Sequence, residues 1–170
     1  MRRRGLRIVL SALAPAALAV ASLSGCLGYR FTQDLPEGVR SVHVALFANA
    51  TPYADLEYDL RRETEREMRR RGVPLAPPER ADATLRGAIT DYLPAAAVSV
   101  ESSGQVRTRQ VTLTVDWTLA RPDDPAPLQA ATGQKGSETF QAGASGEATA
   151  RAEAIRELAQ AIVDRILGEW

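Results

Sequence analysis

The feature that most limits what this chain can fold into is an apolar run that ends just before its only cysteine. Residues 8–23, a run of 16, are almost wholly apolar and follow a short basic segment at residues 1–7 that carries four arginines. The run is shorter than the roughly 20 residues that a transmembrane helix needs, and Pro15 interrupts it. A basic start, an apolar middle and small residues at the end describe a secretory signal peptide. We therefore expect residues 1–25 to be removed.

The end of this leader, Leu23, Ser24, Gly25 and Cys26, resembles the bacterial lipobox. Small residues let the extended peptide lie in a peptidase groove, and the thiol is a nucleophile that can accept a diacylglyceryl group. Two or more acyl chains anchor a protein stably, at about 0.8 kcal/mol per buried CH₂. We predict lipidation of Cys26 with fatty acids such as palmitate; the alternative is a plain signal peptide. Leu27 stands where aspartate retains enterobacterial lipoproteins in the inner membrane, so the outer membrane is favoured.

Residue counts exclude several other classes of protein. Four of the 21 basic residues lie in the leader, so 17 remain against 21 acidic ones, unlike the basic surface of a nucleic-acid-binding protein. One cysteine and one histidine, His43, cannot build an ordinary zinc site or a disulfide. Asp123 and Asp124 lie in a proline-rich loop and need no catalytic explanation. We expect no enzyme activity and no cofactor.

Apolar periodicity predicts a single α/β domain over residues 39–170, after a lipidated tether at 26–38. The predicted strands are 39–47, 81–92, 111–119 and 137–142, and the predicted helices are 51–72 and the final apolar stripe that ends at 167. This is an α/β (α+β) two-layer sandwich, with about four strands in a mixed sheet, two helices on one face and the order β-α-β-β-β-α. The other sheet face is expected to be polar and rich in threonine.

Two segments leave alternatives open at this stage. The arginine run at 69–71 closes the first predicted helix, where positive charge is favoured by the helix dipole; a patch for lipid head groups is the alternative. Residues 94–105 give no periodic signal and are expected to be a connection, with no role assigned to them.

Several short segments, in this order along the chain, resemble the LptE family of lipopolysaccharide-assembly lipoproteins. Residues 28–31, Gly-Tyr-Arg-Phe, come soon after Cys26 and resemble the mature start of that family, which typically opens with Cys-Gly-Tyr and an aromatic residue soon after. Residues 41–51 are similar to the family's first strand, which ends in a Phe–small–Asn step, and residues 81–87 are similar to its second. The long final helix also fits.

The resemblance implies a non-enzymatic function in the outer membrane. Members of the family plug the translocon barrel LptD, help it to assemble and accompany lipopolysaccharide to the cell surface. It therefore implies LptD and lipopolysaccharide as partners, and a lipid-anchored position on the periplasmic side of the outer membrane. Two alternatives stay open at this point. One is a membrane-anchored periplasmic lipoprotein that binds another ligand, a protein or the cell wall; the other is a lipid-anchored enzyme.

Three basic residues, Arg107, Arg109 and Lys135, are candidates for direct lipopolysaccharide binding. The third strand buries its odd positions from Val111 to Leu119, and the same register carries both arginines onto the buried face, where unpaired guanidinium groups are costly. We therefore expect the strand to bend, to bulge or to leave the helix layer before residue 110. Forked arginine donors suit lipid A phosphates, and lysine adds a point charge. Solvated strand-end charges are the alternative.

Overall fold

The computed structural model describes residues 35–100, 102, 104, 106–124, 126–141 and 146–168. In chain order these residues form β1 (Val42–Val44), β2 (Ala48–Asn49), α1 (Leu56–Arg70), β3 (Ala83–Val100), β4 (Val106–Ala120), β5 (Pro127–Gln141) and α2 (Gly146–Ile166). The leader and most of the predicted tether lie outside the described residues, so their boundaries stay predictions. In the part that is described, no helix is both long and apolar enough to cross a membrane.

The strands form one mixed sheet in the order β1-β3-β4-β5, and β2 pairs with β3 beyond β1. β1 and β2 run parallel to β3, whereas β3, β4 and β5 are joined by antiparallel pairing. The predicted α+β class, with a mixed sheet and two helices, is confirmed. We call the end of the sheet near the β4–β5 turn the base, and the end near the β3–β4 turn the tip.

Both helices contribute to one apolar core. β4 buries its odd positions, Val111 to Leu119, as its alternation predicts, and α1 buries a narrow stripe. α2 buries a broader stripe: Ala150, Ala154, Ile155, Leu158, Ala159, Ile162, Val163 and Ile166. Burying a large aliphatic side chain stabilises a fold by about 1.5–3 kcal/mol, so the layer contact is the main source of stability. α2 approaches β5 closely at Gly136, where a Cβ would lie 2.6 Å from the Cβ of Leu158.

The sheet face away from the core is polar, as predicted. Register pairs share a face, and the pairs Arg86–Thr118, Asp91–Thr114 and Thr114–Lys135 all lie opposite the helices. Threonines recur along this open face: Thr84, Thr108, Thr112, Thr114, Thr118 and Thr139. The sandwich therefore leaves one sheet face free of helices in the described part of the chain.

The prediction of one continuous first strand over residues 39–47 is wrong. It divides into β1 and β2 because the register against β3 shifts: Val44 pairs with Leu85, but Ala48 pairs with Ala88. The extra residue lets Phe47 turn into the core, where its ring packs against Gly87.

The predicted helix start at Thr51 is also wrong. Thr51 instead donates its backbone N–H and its hydroxyl to Oδ1 of Asn49, at 2.9 and 2.8 Å, which closes a local turn. The helix begins at Leu56, after Asp55 in a left-handed conformation (φ 69°). Its predicted end holds, with Gly72 in the left-handed region after Arg71.

Two segments are strands where the sequence predicted otherwise. Residues 94–100 continue β3 instead of forming a connection, and β5 begins at Pro127, ten residues before the predicted strand. Each register shift in β3 moves the following side chains to the other face of the sheet. The shifts lie between Ile89 and Asp91, between Leu93 and Ala96, and between Ala97 and Ser99. Alternation is therefore lost even though the backbone stays paired with β4.

Candidate functional site

The structure describes the candidate basic residues of β4 and β5 but not the candidate lipidation site. The lipobox residues Leu23, Ser24 and Gly25 and the lipidation site Cys26 lie outside the described residues, and lipidation stays a prediction. Arg107 lies near the tip on β4, at the point where the register moves from the Ser99–Thr108 pair to the Val100–Val106 pair. Arg107 is thus the extra residue of a bulge, as the expected break before residue 110 requires.

Arg109 lies on the helix side of the sheet. It pairs with Phe140, which packs against the core from a half-buried position, and no shift separates it from the buried Val111. Its own side chain is half-buried at the upper limit of the helix layer. The strand therefore carries this guanidinium group to the margin of the core and not into it, which relieves the conflict in the sequence pattern.

The structure does not bring Lys135 together with Arg109. Lys135 pairs with Thr114 on the open face, whereas Arg109 belongs to the opposite face. The two positions are also five residues apart along β4, about 17 Å at strand spacing. Any lipopolysaccharide contact through both residues would have to reach around the edge of the sheet. The joint site stays a prediction.

The arginines of α1 are engaged within their own helix. Arg62 lies 2.7 Å from Asp59, Arg66 lies 2.7 Å from Glu63, and Arg61 and Arg69 both pair with Glu65. Such exposed pairs contribute little stability, but they balance the charge of the helix surface. The arginine run 69–71 is thus explained by helix-end pairing rather than by a basic patch.

One ion-pair cluster connects the two helices near the base. Glu67, with a side chain only 7% exposed, accepts hydrogen bonds from Nε of Arg70 at 2.7 Å and from Nε of Arg71 at 2.9 Å. Arg71 also pairs with Asp164 of α2. The hydrogen bonds from Arg70, followed by those from Arg71, hold the pKa of the Glu67 carboxyl below its ordinary value despite its burial. Through the Arg71–Asp164 pair, this cluster links α1 to α2.

The base of the sheet carries a depression of about 360 Å³ that offers little chemistry. It is lined by charges of both signs: Arg86, Arg121, Asp123 and Asp124. Neither histidine nor cysteine lines it, so no nucleophilic pair is assembled there. Among the described residues, no three His, Cys, Asp or Glu side chains are grouped so that they could hold a metal ion.

Comparison with known proteins identifies the family of this chain. The family model LptE, described as lipopolysaccharide-assembly, matches residues 39–167. This chain belongs to the LptE family. The match covers every strand and helix described above, so the family's relation to lipopolysaccharide assembly applies to the whole folded domain. No curated protein matches the chain in sequence.

A solved structure shares this fold. A minor lipoprotein from Acinetobacter baumannii is similar at a TM-score of 0.54 and 16% identity, over 76% of this chain and 94% of that one. A lipoprotein from Caulobacter crescentus CB15 gives a TM-score of 0.49 at 16% identity, over 72% of this chain and 88% of that one. At this identity the Acinetobacter likeness concerns the fold alone. The lower TM-score of the Caulobacter protein adds nothing to it.

For this LptE-family chain, sequence reasoning missed the long tip of the β3–β4 hairpin. The available signal was the composition of residues 92–100, which include Tyr92, Val98 and Val100 and no charged residue. Pro94 concealed that signal, because proline usually argues against a paired strand. Sequence reasoning also missed the role of Glu67, whose partners Arg70 and Arg71 do lie at the helical spacings of three and four residues.

Glu67→Gln is expected to lower the free energy of unfolding by about 1–3 kcal/mol at pH 7, because a half-buried cluster loses its charged acceptor. The folded-state pKa is lowered from 4.5, so the carboxylate's contribution is complete above that pH. It is lost as pH falls through the lower folded-state pKa. Urea unfolding of the wild type and of Glu67→Gln at several pH values measures the difference in their free energies of unfolding. This difference is expected to shrink as the pH falls.

The matched control for that experiment is Glu153→Gln, which removes an exposed ion pair with Arg156 on α2. Its cost is expected to stay within about 0.5 kcal/mol. An equal cost for the two variants, or a Glu67→Gln deficit that does not shrink in acid, would contradict the role given to this cluster.

Proposed function

We propose that this chain is a non-enzymatic outer-membrane lipoprotein, anchored on the periplasmic side through acyl chains on Cys26. In this proposal it plugs the translocon barrel LptD, helps that barrel to assemble and assists lipopolysaccharide delivery to the cell surface. The observation that carries the proposal is the family match over residues 39–167.

The shape and surface of the domain support a position inside a barrel. The 15 residues of β4 extend over roughly 50 Å, longer than the apolar band of an outer-membrane barrel, which is about 25 Å tall. The threonine-rich open face suits a water-filled lumen, where interior walls are polar. Glu37, near the start of the described chain, accepts a hydrogen bond at 2.6 Å from Arg121 at the base. The first described residues thus lie at the base.

Depletion of the chain in living cells tests this function. Because the barrel would lack its plug during assembly, we expect folded LptD and surface lipopolysaccharide to fall together, and expression of the wild-type chain to restore both. The folded amount of an unrelated outer-membrane barrel is the control and is expected to stay constant. Unchanged LptD folding and unchanged surface lipopolysaccharide after depletion would contradict the proposal.

Direct contact with lipopolysaccharide is proposed for Arg107, Arg109 and Lys135. Arginine recognises phosphate through paired donors, and lysine contributes charge without that geometry. Since Arg109 and Lys135 belong to opposite sheet faces, the proposal separates into a tip contact by the arginines and a weaker open-face contact by the lysine.

The variant Arg107→Glu/Arg109→Glu tests the tip contact. We expect it to weaken binding of purified protein to lipopolysaccharide by at least about tenfold at low salt, and by less at high salt because screening reduces charge effects. Lys135→Glu is expected to have a smaller effect and serves as the comparison. Affinity equal to that of the wild type at both salt concentrations would remove the arginines as a site.

A further inference from the structure

The outer edge of β3 is covered for only half of its length. β1 and β2 pair with β3 up to Ile89, and the last backbone bond of this edge runs from the N–H of Ala50 to the carbonyl of Ile89, at 3.0 Å. Within the described residues, no strand pairs with that edge from Asp91 to Val100, the segment that we call the distal edge. Its backbone groups are therefore left as a template for another strand.

Beyond Asp91, its first residue, the distal edge lacks the charges that usually protect a strand edge. No acidic or basic residue occurs from Tyr92 to Val100, and residues 95–97 are three alanines. Leu93 and Val98 are 48% and 55% exposed, two of the few large apolar side chains exposed in the described part of the domain. A partner strand could thus approach to the usual spacing of about 4.8 Å without meeting a charge or a bulky barrier.

The opposite edge of the sheet, formed by β5, is protected. The backbone N–H of Ser137 donates to Oε2 of Glu157 on α2 at 2.8 Å, so a side chain already occupies this donor. Lys135 and Glu138 are exposed along the same strand, and charges of this kind oppose strand addition. Among the described residues the two edges therefore differ: β5 carries charges and an occupied donor, whereas the distal edge beyond Asp91 carries no charge and is interrupted only by Pro94 and by register shifts.

We infer that the distal edge binds an extended, uncharged segment from inside the barrel partner by strand addition. The inference rests on the proposed function and names the surface that the plug would use. Main-chain hydrogen bonds would supply affinity, and the exposed Leu93 and Val98 would contact alternate side chains of the incoming segment. The barrel's wall strands are already paired with one another, so the added segment must come from a loop or an inward-folded stretch.

A second copy of this chain fits the edge less well. It would present the same Pro94, which lacks an N–H, and the same three register shifts between Ile89 and Ser99. Two edges that twist in this way do not lie flat against each other. The same features restrict the register in which any partner segment can pair with this edge.

Hydrogen exchange measured by mass spectrometry tests the inference on the full chain. The complex with LptD, purified from outer membranes in mild detergent, is compared with the full chain produced without the barrel. We expect backbone exchange in residues 91–100 to slow by at least about tenfold in the complex. Residues 127–141 of the protected β5 edge are the internal reference and are expected to change little.

The outcomes separate the inference from the proposed function. If LptD copurifies but residues 91–100 exchange equally fast in both samples, the distal edge is not the binding surface, and the plug function stands. If no barrel copurifies, both proposals fail. Protection that appears in the chain alone and rises with its concentration would identify a second copy as the occupant and overturn the inference.

A pair of lysine substitutions gives an independent readout. Ala97→Lys places a charge on the exposed distal edge and is expected to reduce the LptD recovered per chain by about fivefold or more. Thr132→Lys places the same charge at an exposed position of β5 outside the set of recurring open-face threonines and is expected to leave recovery unchanged. Equal recovery with both variants would contradict the inference.

Discussion

Gly136→Ala is expected to destabilise the domain by about 3 kcal/mol. A Cβ at this position would lie 2.6 Å from Cβ of Leu158 and 2.9 Å from its backbone N, and closer still to the carbonyl oxygen of Ala154. Two of these three neighbours are backbone atoms of α2, which cannot rotate away. The helix would have to move off β5, and α2 supplies most of the apolar stripe that covers the sheet.

Urea unfolding of the mature chain, produced without its leader, measures this cost. Thr139→Ala is the matched control, since it changes an exposed side chain on the same strand, and a shift within about 0.5 kcal/mol is expected. A Gly136→Ala cost as small as that of the control would show that α2 can shift freely, and would contradict the close packing of α2 on β5.

Cys26→Ala is expected to abolish acylation completely and to release the chain from the membrane fraction. The reason is chemical: no other cysteine exists in the sequence, and alanine offers no nucleophile for the diacylglyceryl transfer. Since two or more acyl chains make the anchor stable, their loss removes this attachment to the membrane. Metabolic labelling with a palmitate analogue, followed by membrane fractionation, measures both effects.

The control for that experiment is Ser24→Ala, which keeps a small residue in the lipobox and is expected to retain label and membrane attachment. Label on the Cys26→Ala protein would contradict the anchor. A labelled wild type whose Cys26→Ala variant still sediments with membranes would separate lipidation from localisation, and would point to retention by the barrel partner.

The class of the fold could be predicted because two periodic signals are strong. Val111 to Leu119 alternates without interruption, since the register shifts along this stretch put the extra residue in β3 or in β5 and not in β4. The final helix carries an apolar stripe wide enough to cover several strands. Where the alternation of apolar side chains matches the backbone pairing in this way, the local sequence is sufficient to predict the element.

The rest of the fold depends on contacts that the local sequence does not report. In β3 the shifts beyond Ile89 change the face of successive side chains, so residues 94–100 lose their period while they stay paired. In β5 the residues before Ser137 have weak strand preference, and pairing with β4 over its whole length decides their conformation. The candidate arginines were located, but only the register showed that Arg109 and Lys135 belong to opposite faces.

Copurification from native outer membranes tests the central proposal, a plug in the lipopolysaccharide translocon, most directly. The chain is tagged at its C-terminus, extracted in mild detergent, captured, and analysed by size-exclusion chromatography with identification of every protein that coelutes. We predict a stable complex in which LptD and this chain elute together in equal amounts. Elution of the chain alone, from membranes in which LptD is present and folded, would contradict it.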